Sequence, residues 1–202
     1  MPAFTAVASS AFTGSENPLS EGSVWTAGTG VSTMKKLTDI AVPTSNASDC
    51  GAIYTGSSFN ASQYSRAKLT ADGTTGGGRG VALHVLYATG ANTTYRFIMD
   101  HAASNNARIE RVVAGVYTTK VDWTQSWSDG DTFTFAVENE VLYVYNGSLT
   151  LIQSVSDVGG GVPTTGKPGV GYSSTITSAS LDDWEGGNFS TDSTSLWAQS
   201  VM

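Results

Sequence analysis

From Tyr64 onward apolar and polar residues alternate with a period of two, as in strands whose successive side chains leave opposite faces of a sheet. Tyr64 to Ala71 places Ala67, Leu69 and Ala71 on one face and Arg66, Lys68 and Thr70 on the other, which predicts a half-buried strand. Val81 to Tyr87 is apolar on both faces and predicts a central strand, reached through the flexible glycine-rich stretch Gly73 to Gly80. Thr94 to His101 carries Tyr95, Phe97 and Met99 on one side. Arg108 to Val113 sets Ile109, Arg111 and Val113 against Arg108, Glu110 and Val112. These two segments predict successive antiparallel strands.

Asp129-Gly130-Asp131 is a turn signal, because glycine supplies positive φ and aspartate bonds its own backbone in tight turns. The segment Thr132 to Val137 then alternates, turns at Glu138-Asn139-Glu140 and returns as Val141 to Tyr145. Asn146-Gly147 suits a two-residue hairpin turn, so Leu149 to Val155 is expected to pair back and complete a meander. A long glycine-rich loop from Gly159 to Gly171 leads to a late strand over Ile176 to Trp184, while the first 60 residues are less regular. Apolar spacing of three and four is never sustained, so almost no helix is predicted. Twelve to fourteen short strands call for two packed antiparallel sheets, an all-β sandwich.

Composition agrees. The 202 residues include 26 Ser, 26 Thr and 23 Gly, small or turn-forming residues that favour short strands and many turns. The length fits one domain, read as a sandwich over residues 1–189 followed by a polar spacer and an apolar tail over 190–202. A net charge of -7, with no basic cluster beyond Lys35-Lys36, argues against a nucleic-acid partner. No apolar run is long enough to span a membrane, and the start Met1-Pro2-Ala3-Phe4-Thr5 lacks signal-peptide character, so synthesis and folding in a cytoplasm are expected. Cys50, the one cysteine, has no partner for a disulfide or a zinc site.

Four stretches carry a family likeness. They are Pro18-Leu19-Ser20 leading to Trp25, Phe59 to Leu69, Gly130 to Phe133 with Val141 to Gly147, and Gly166 to Gly171 followed by Leu181-Asp182-Asp183-Trp184. Over residues 4–187 the chain resembles the concanavalin A-like, or laminin G-like, jelly-roll sandwiches. The resemblance implies a two-sheet antiparallel jelly roll. Such domains serve as lectins, carbohydrate-binding modules, glycoside hydrolases and building blocks of extracellular and bacteriophage surface proteins, and shared architecture does not choose among them.

The laminarinase-type members of that superfamily place an acid run on one central strand, and this chain has none. Glu138-Asn139-Glu140 is the nearest imitation of a glycosidase pair, and it reads as a hairpin tip. Asp182-Asp183 would point to opposite faces of a strand, leaving a solvated rim or a backbone-turn device. His84 and His101 lack the context of a nucleophile or a metal site and read as structural. Sugar binding needs flat rings edged by hydrogen-bonding groups, and Trp123 and Trp127 with Asp122, Gln125 and Asp129 form the densest such group. The competing reading makes one Trp a cap on the sandwich and the other a loop cover. Asp129, Asp131 and Asp157 are possible calcium ligands without EF-hand spacing, and neither a metal nor another cofactor is assigned.

Without a catalytic set, the leading expectation is a non-catalytic structural or decoration protein of a bacteriophage virion. It would act by self-association or by docking on other virion proteins, through the stretch Phe4 to Phe12 and the tail Leu196 to Met202. The alternatives are a glycan-binding module that uses Trp123, Trp127, Asp122 and Gln125, and a glycoside hydrolase.

Overall fold

The computed structural model describes residues 1–44, 49–72, 80–100, 106–159, 161, 164–173 and 179–191. These form fifteen strands and, among the described residues, no helix. One sheet has eight strands in the order β13 (Leu151–Ser156), β12 (Val141–Asn146), β11 (Thr132–Glu138), β6 (Gln63–Asp72), β15 (Ala179–Ser190), β4 (Ala41–Pro43) and β3 (Met34–Lys36), with β1 (Ala3–Ser10) also on β15. The other has seven, in the order β10 (Val116–Thr124), β9 (Asn106–Val113), β8 (Thr94–Asp100), β7 (Val81–Tyr87), β14 (Lys167–Tyr172), β5 (Cys50–Tyr54) and β2 (Trp25–Ala27). All strand pairings are antiparallel. The two sheets pack face to face as a concanavalin A-like jelly roll, the expected fold.

The alternation places the core where the sequence predicts it. Ala67 and Leu69 of β6 and Phe133, Phe135 and Val137 of β11 face Leu83 and Val85 of β7 and Tyr95, Phe97 and Met99 of β8 in one buried cluster. Every residue of β7 is buried, as its two apolar faces require. An aromatic ladder crosses one end of the core. Phe12 meets Trp25 at 5.6 Å, Trp25 meets Trp184 at 4.6 Å, and Tyr54 stacks on Trp184 at 5.2 Å. Such contacts add roughly 0.5–1.5 kcal/mol each beyond their buried area. Asp157 ties the meander to the opposite sheet: it accepts from Tyr95 Oη at 3.0 Å and pairs with Arg111 at 3.2 Å and Lys120 at 2.5 Å. Burial alone would raise its pKa, but these partners hold the carboxyl below its ordinary value.

Several expectations need correction. The early chain is more ordered than its irregular pattern suggests, because β1 draws its partner from the far end of the sequence, pairing Ala3 with Ser190 and Ser10 with Trp184. Phe4 packs edge-on against Tyr64 and Tyr145, and Phe12 is fully buried. Phe12 is thus used inside the core, and Phe4, half-buried, is engaged on one side by these rings. The tight two-residue turn is Asn139-Glu140, both at positive φ (50° and 60°). Asn146-Gly147 instead opens a longer loop, in which the Asn146 carboxamide accepts from the backbone N–H groups of Ser148 and Thr150. The last strand runs six residues past Trp184, to Ser190, and Thr191 bonds the Glu138 carboxylate. His101, most of the Gly73 to Gly80 loop and the tail from 192 onward lie outside the described residues.

Candidate functional site

Two polar regions outside the core could carry chemistry. The first lies on the outer face of the seven-stranded sheet, opposite Phe97 and Ile109. There Arg96 donates Nε to Glu110 at 2.8 Å and pairs through a second nitrogen with Asp49 at 2.7 Å, while Arg108 reaches the other Glu110 oxygen at 2.6 Å. The Arg96 guanidinium also stands 4.4 Å from the centre of the Tyr117 ring. His84 lies beside this network over Gly171, where a Cβ would fall 2.6 Å from the imidazole Nε2, so only glycine fits beneath it. Burial, and next the Arg96 charge, push the His84 pKa down to about 3, and the ring is neutral. The segment from Gly28 to Val31 closes over this face: Tyr87 Oη donates to the Thr29 carbonyl at 3.1 Å, and the Gly28 N–H donates to the Gly51 carbonyl at 3.0 Å. Arg96, Glu110 and His84 are each 5–6% exposed. Buried charges tied this closely to one another hold structure together and leave little surface for a ligand.

The second region is open. At one end of the sandwich the loop between β5 and β6, the hairpin loop between β7 and β8 and the segment before β14 enclose a cleft of about 460 Å³. Ser58, Phe59, Ala88, Thr89, Gly90, Thr165, Gly166 and Lys167 line it. Phe59 continues the aromatic ladder, its ring 6.3 Å from Tyr54 and perpendicular to it. The Lys167 ammonium donates to the Ser57 carbonyl and stands 5.6 Å from the centre of the Phe59 ring. The Ser58, Thr89 and Thr165 side chains are exposed at the rim. A smaller cavity of about 150 Å³ beside Leu86, Tyr95, Val137 and Glu140 falls below the roughly 300–1,000 Å³ usual for ligand sites.

One buried side chain holds the cleft together. Gln63, at the start of β6, is fully buried; its Oε1 accepts from the Leu86 N–H at 3.1 Å, and its Nε2 donates to the carbonyls of Asn60 at 2.8 Å and Gly166 at 3.2 Å. A single carboxamide thus joins three of the elements around the cleft. Leu86 sits at φ +52° where the register of β7 against β14 slips, a backbone state costing about 1–3 kcal/mol for a residue of this kind. Gly166 presses directly on it: a Cβ there would lie 2.4 Å from the Leu86 carbonyl carbon. Asn60 is fixed in turn by the Asn188 side chain, which accepts its N–H at 2.9 Å.

The residues singled out from sequence fall elsewhere. Trp123 and Asp122 are consecutive on β10, so the pleat separates them: Trp123 stacks on Phe97 at 5.9 Å and 15°, whereas Asp122 is exposed opposite Arg108. Gln125 stays with Trp123, whose Nε1 donates to it at 3.4 Å. Trp127 is buried in the core at 7% exposure. Trp127 therefore takes the covering role that competes with a glycan patch, because burying so large a ring contributes more when a core is available, while Trp123 stays half-buried. Glu138 accepts from Thr191, and Glu140 from the Gly159 N–H at 3.2 Å, so the two acids are engaged separately. Asp131 accepts from the Ser128 N–H at 2.7 Å and Asp157 is occupied by its cations, so neither presents a free oxygen set to calcium. Asp183, at φ +48° with its N–H on the Asp182 carboxylate, marks a bulge in β15. Cys50 is buried, and burial, with Asp49 next, pushes its thiol up to about 12. Local spacing does not join Phe59 to Lys167, although an aromatic ring isolated in the polar run Ser57-Ser58-Phe59-Asn60 is a readable signal.

No family model matches the chain, and no curated protein matches it in sequence. Solved structures do resemble it in fold. A Bacillus subtilis protein of unknown function with a galectin-like fold aligns with a TM-score of 0.64 at 11% identity, covering 94% of this chain and 99% of that one. The carbohydrate-binding module CBM66 from Bacillus subtilis aligns at 0.60 and 15% identity, covering 84% and 99%. The VIP36 exoplasmic/lumenal domain in its Ca2+/Man3GlcNAc-bound form aligns at 0.62 and 9% identity, covering 90% and 93%. The fold also matches 39% of a GH43 protein, BlXynB from Bacillus licheniformis, at 10% identity. These neighbours share the jelly-roll sandwich. One is named a carbohydrate-binding module and another is a Man3GlcNAc-bound form, and none of those named points to a virion.

Proposed function

We propose that this chain is a non-catalytic glycan-binding module that holds a sugar in the loop-end cleft at Phe59. The observation that carries the reading is a half-buried aromatic ring in an open cleft of about 460 Å³, edged by the Ser58, Thr89 and Thr165 hydroxyls and the Lys167 ammonium. An apolar ring face and a few fixed polar groups suit a sugar, which offers C–H surface on one side and hydroxyls at its edge. The carbohydrate-binding names among the fold neighbours support it; the virion reading has no comparable support.

A glycan array followed by calorimetry on the full chain tests this. Phe59→Ala should weaken any retained glycan about tenfold or more, since burying such a ring contributes about 1.5–3 kcal/mol. Trp123→Phe, which preserves the stack on Phe97, should leave affinity unchanged. If Trp123→Phe abolishes binding and Phe59→Ala does not, the site is the Trp123 patch.

A further inference from the structure

Resting on that reading, we infer that the cleft selects sugars bearing an anionic group, a uronate carboxylate or a sulfate ester, through Lys167. The chain carries 17 acidic and 10 basic residues, so a cation would be expected to find a carboxylate readily. Among the described residues Lys36, Arg66, Lys68, Arg96, Arg108, Arg111 and Lys120 all do. Lys35 and Lys167 do not, and of these Lys167 lines the cleft.

Lys167 is also the only ionisable side chain among the described residues lining the cleft, so no neighbouring acid neutralises it there. Its ammonium is tethered rather than free to swing. One N–H goes to the Ser57 carbonyl, the Phe59 ring lies 5.6 Å away, and the residue is half-buried at the start of β14. The carbonyl and the ring face are neutral partners, and a lysine has three N–H donors, so capacity for an anion remains. A bound sugar that meets Phe59 with its ring would bring an exocyclic carboxylate or sulfate within reach of that charge. A neutral sugar would gain the stacking and lose the ion pair.

The test is calorimetry on the full chain with matched probes: oligogalacturonate, alginate and glucuronate-bearing oligosaccharides, each beside its methyl ester, and a sulfated galactan beside its desulfated form. Neutral gluco- and manno-oligosaccharides complete the panel. The expected result is tighter binding of at least one charged form than of its neutral counterpart, by about fivefold to tenfold in 50 mM salt. That preference should shrink in 0.5 M salt, where exposed charges are screened over a few ångströms (Debye length ~3 Å at 1 M). Lys167→Met should remove the preference for the charged form over its neutral counterpart, while Lys167→Arg retains it; the carboxylate and sulfate arms show which anion is taken. Equal affinity for charged and neutral partners, or a preference that survives Lys167→Met, overturns the role of Lys167 and leaves glycan binding standing. Absence of binding to every probe overturns both.

Discussion

The outer face of the seven-stranded sheet and the loop-end cleft are both polar, yet they differ in how their groups are paired. On the sheet face Arg96 is fitted to Glu110 and Asp49, and Glu110 accepts from Arg108 as well. At the cleft Lys167 has one carbonyl and a ring, and the rim hydroxyls face solvent. A polar group that has found its partners inside the protein fixes the fold; one that remains open can recognise something else. Net charge or residue type alone does not separate the two cases, because both regions contain a cation beside an aromatic ring: Arg96 with Tyr117, and Lys167 with Phe59.

This contrast can be broken most directly at Arg96. Arg96→Met should destabilise the fold by about 3–5 kcal/mol, because it leaves Glu110 and Asp49 short of a charge partner. For a domain of this size that is a drop on the order of 10 °C in Tm, read by thermal denaturation. Glycan affinity measured well below the transition should not change; a folded Arg96→Met protein that no longer binds would transfer the site to the sheet face. A smaller effect is expected at the buried carboxamide beneath the cleft. Gln63→Leu strands the Leu86 N–H and should cost about 1–3 kcal/mol, with faster hydrogen exchange at Leu86 and weaker glycan binding together. Loss of stability without loss of affinity would mean that the cleft does not depend on this latch.

The smallest effect is one of pH. His84 has its pKa lowered from 6.5 to about 3 by burial and by Arg96, so the unfolded chain takes up a proton that the folded chain refuses. Stability supplied by the neutral ring is therefore complete above about 6.5 and declines as pH falls from there toward 3. One unit below the unfolded-chain value the loss should be about 1.4 kcal/mol. Denaturant titrations from pH 7.5 to 5 should show this slope in the parent and a flatter one in His84→Gln; parallel slopes would mean that the ring accepts its proton without opening the sheet face.

The legible parts of the fold are those where local spacing and burial agree. The β6, β7, β8 and β11 segments alternate or run apolar as a two-layer core demands, and all four stand where their spacing puts them. The turn at Asn139-Glu140 was visible as a polar break, but its positive φ values were not, since glutamate rarely adopts them without the pairing of β11 and β12 on either side. Strand β1 is hidden for a related reason: only one of its residues is buried and its partner, β15, lies almost the whole chain away. The tryptophans show the limit of reading chemistry from clustering. Trp123, Trp127, Asp122 and Gln125 are neighbours in sequence, but the pleat turns Trp123 away from Asp122 and the core takes Trp127.

By itself, then, the sequence determined a two-sheet sandwich with little helix, because a period of two allows one buried face per strand and the small polar residues between strands leave turns as the connections. Only the tertiary structure decided which polar groups close on one another and which remain open. Phe59, Gln63, Leu86 and Lys167 meet through contacts between distant segments, and such meetings follow from how the two layers stack, which no local spacing records.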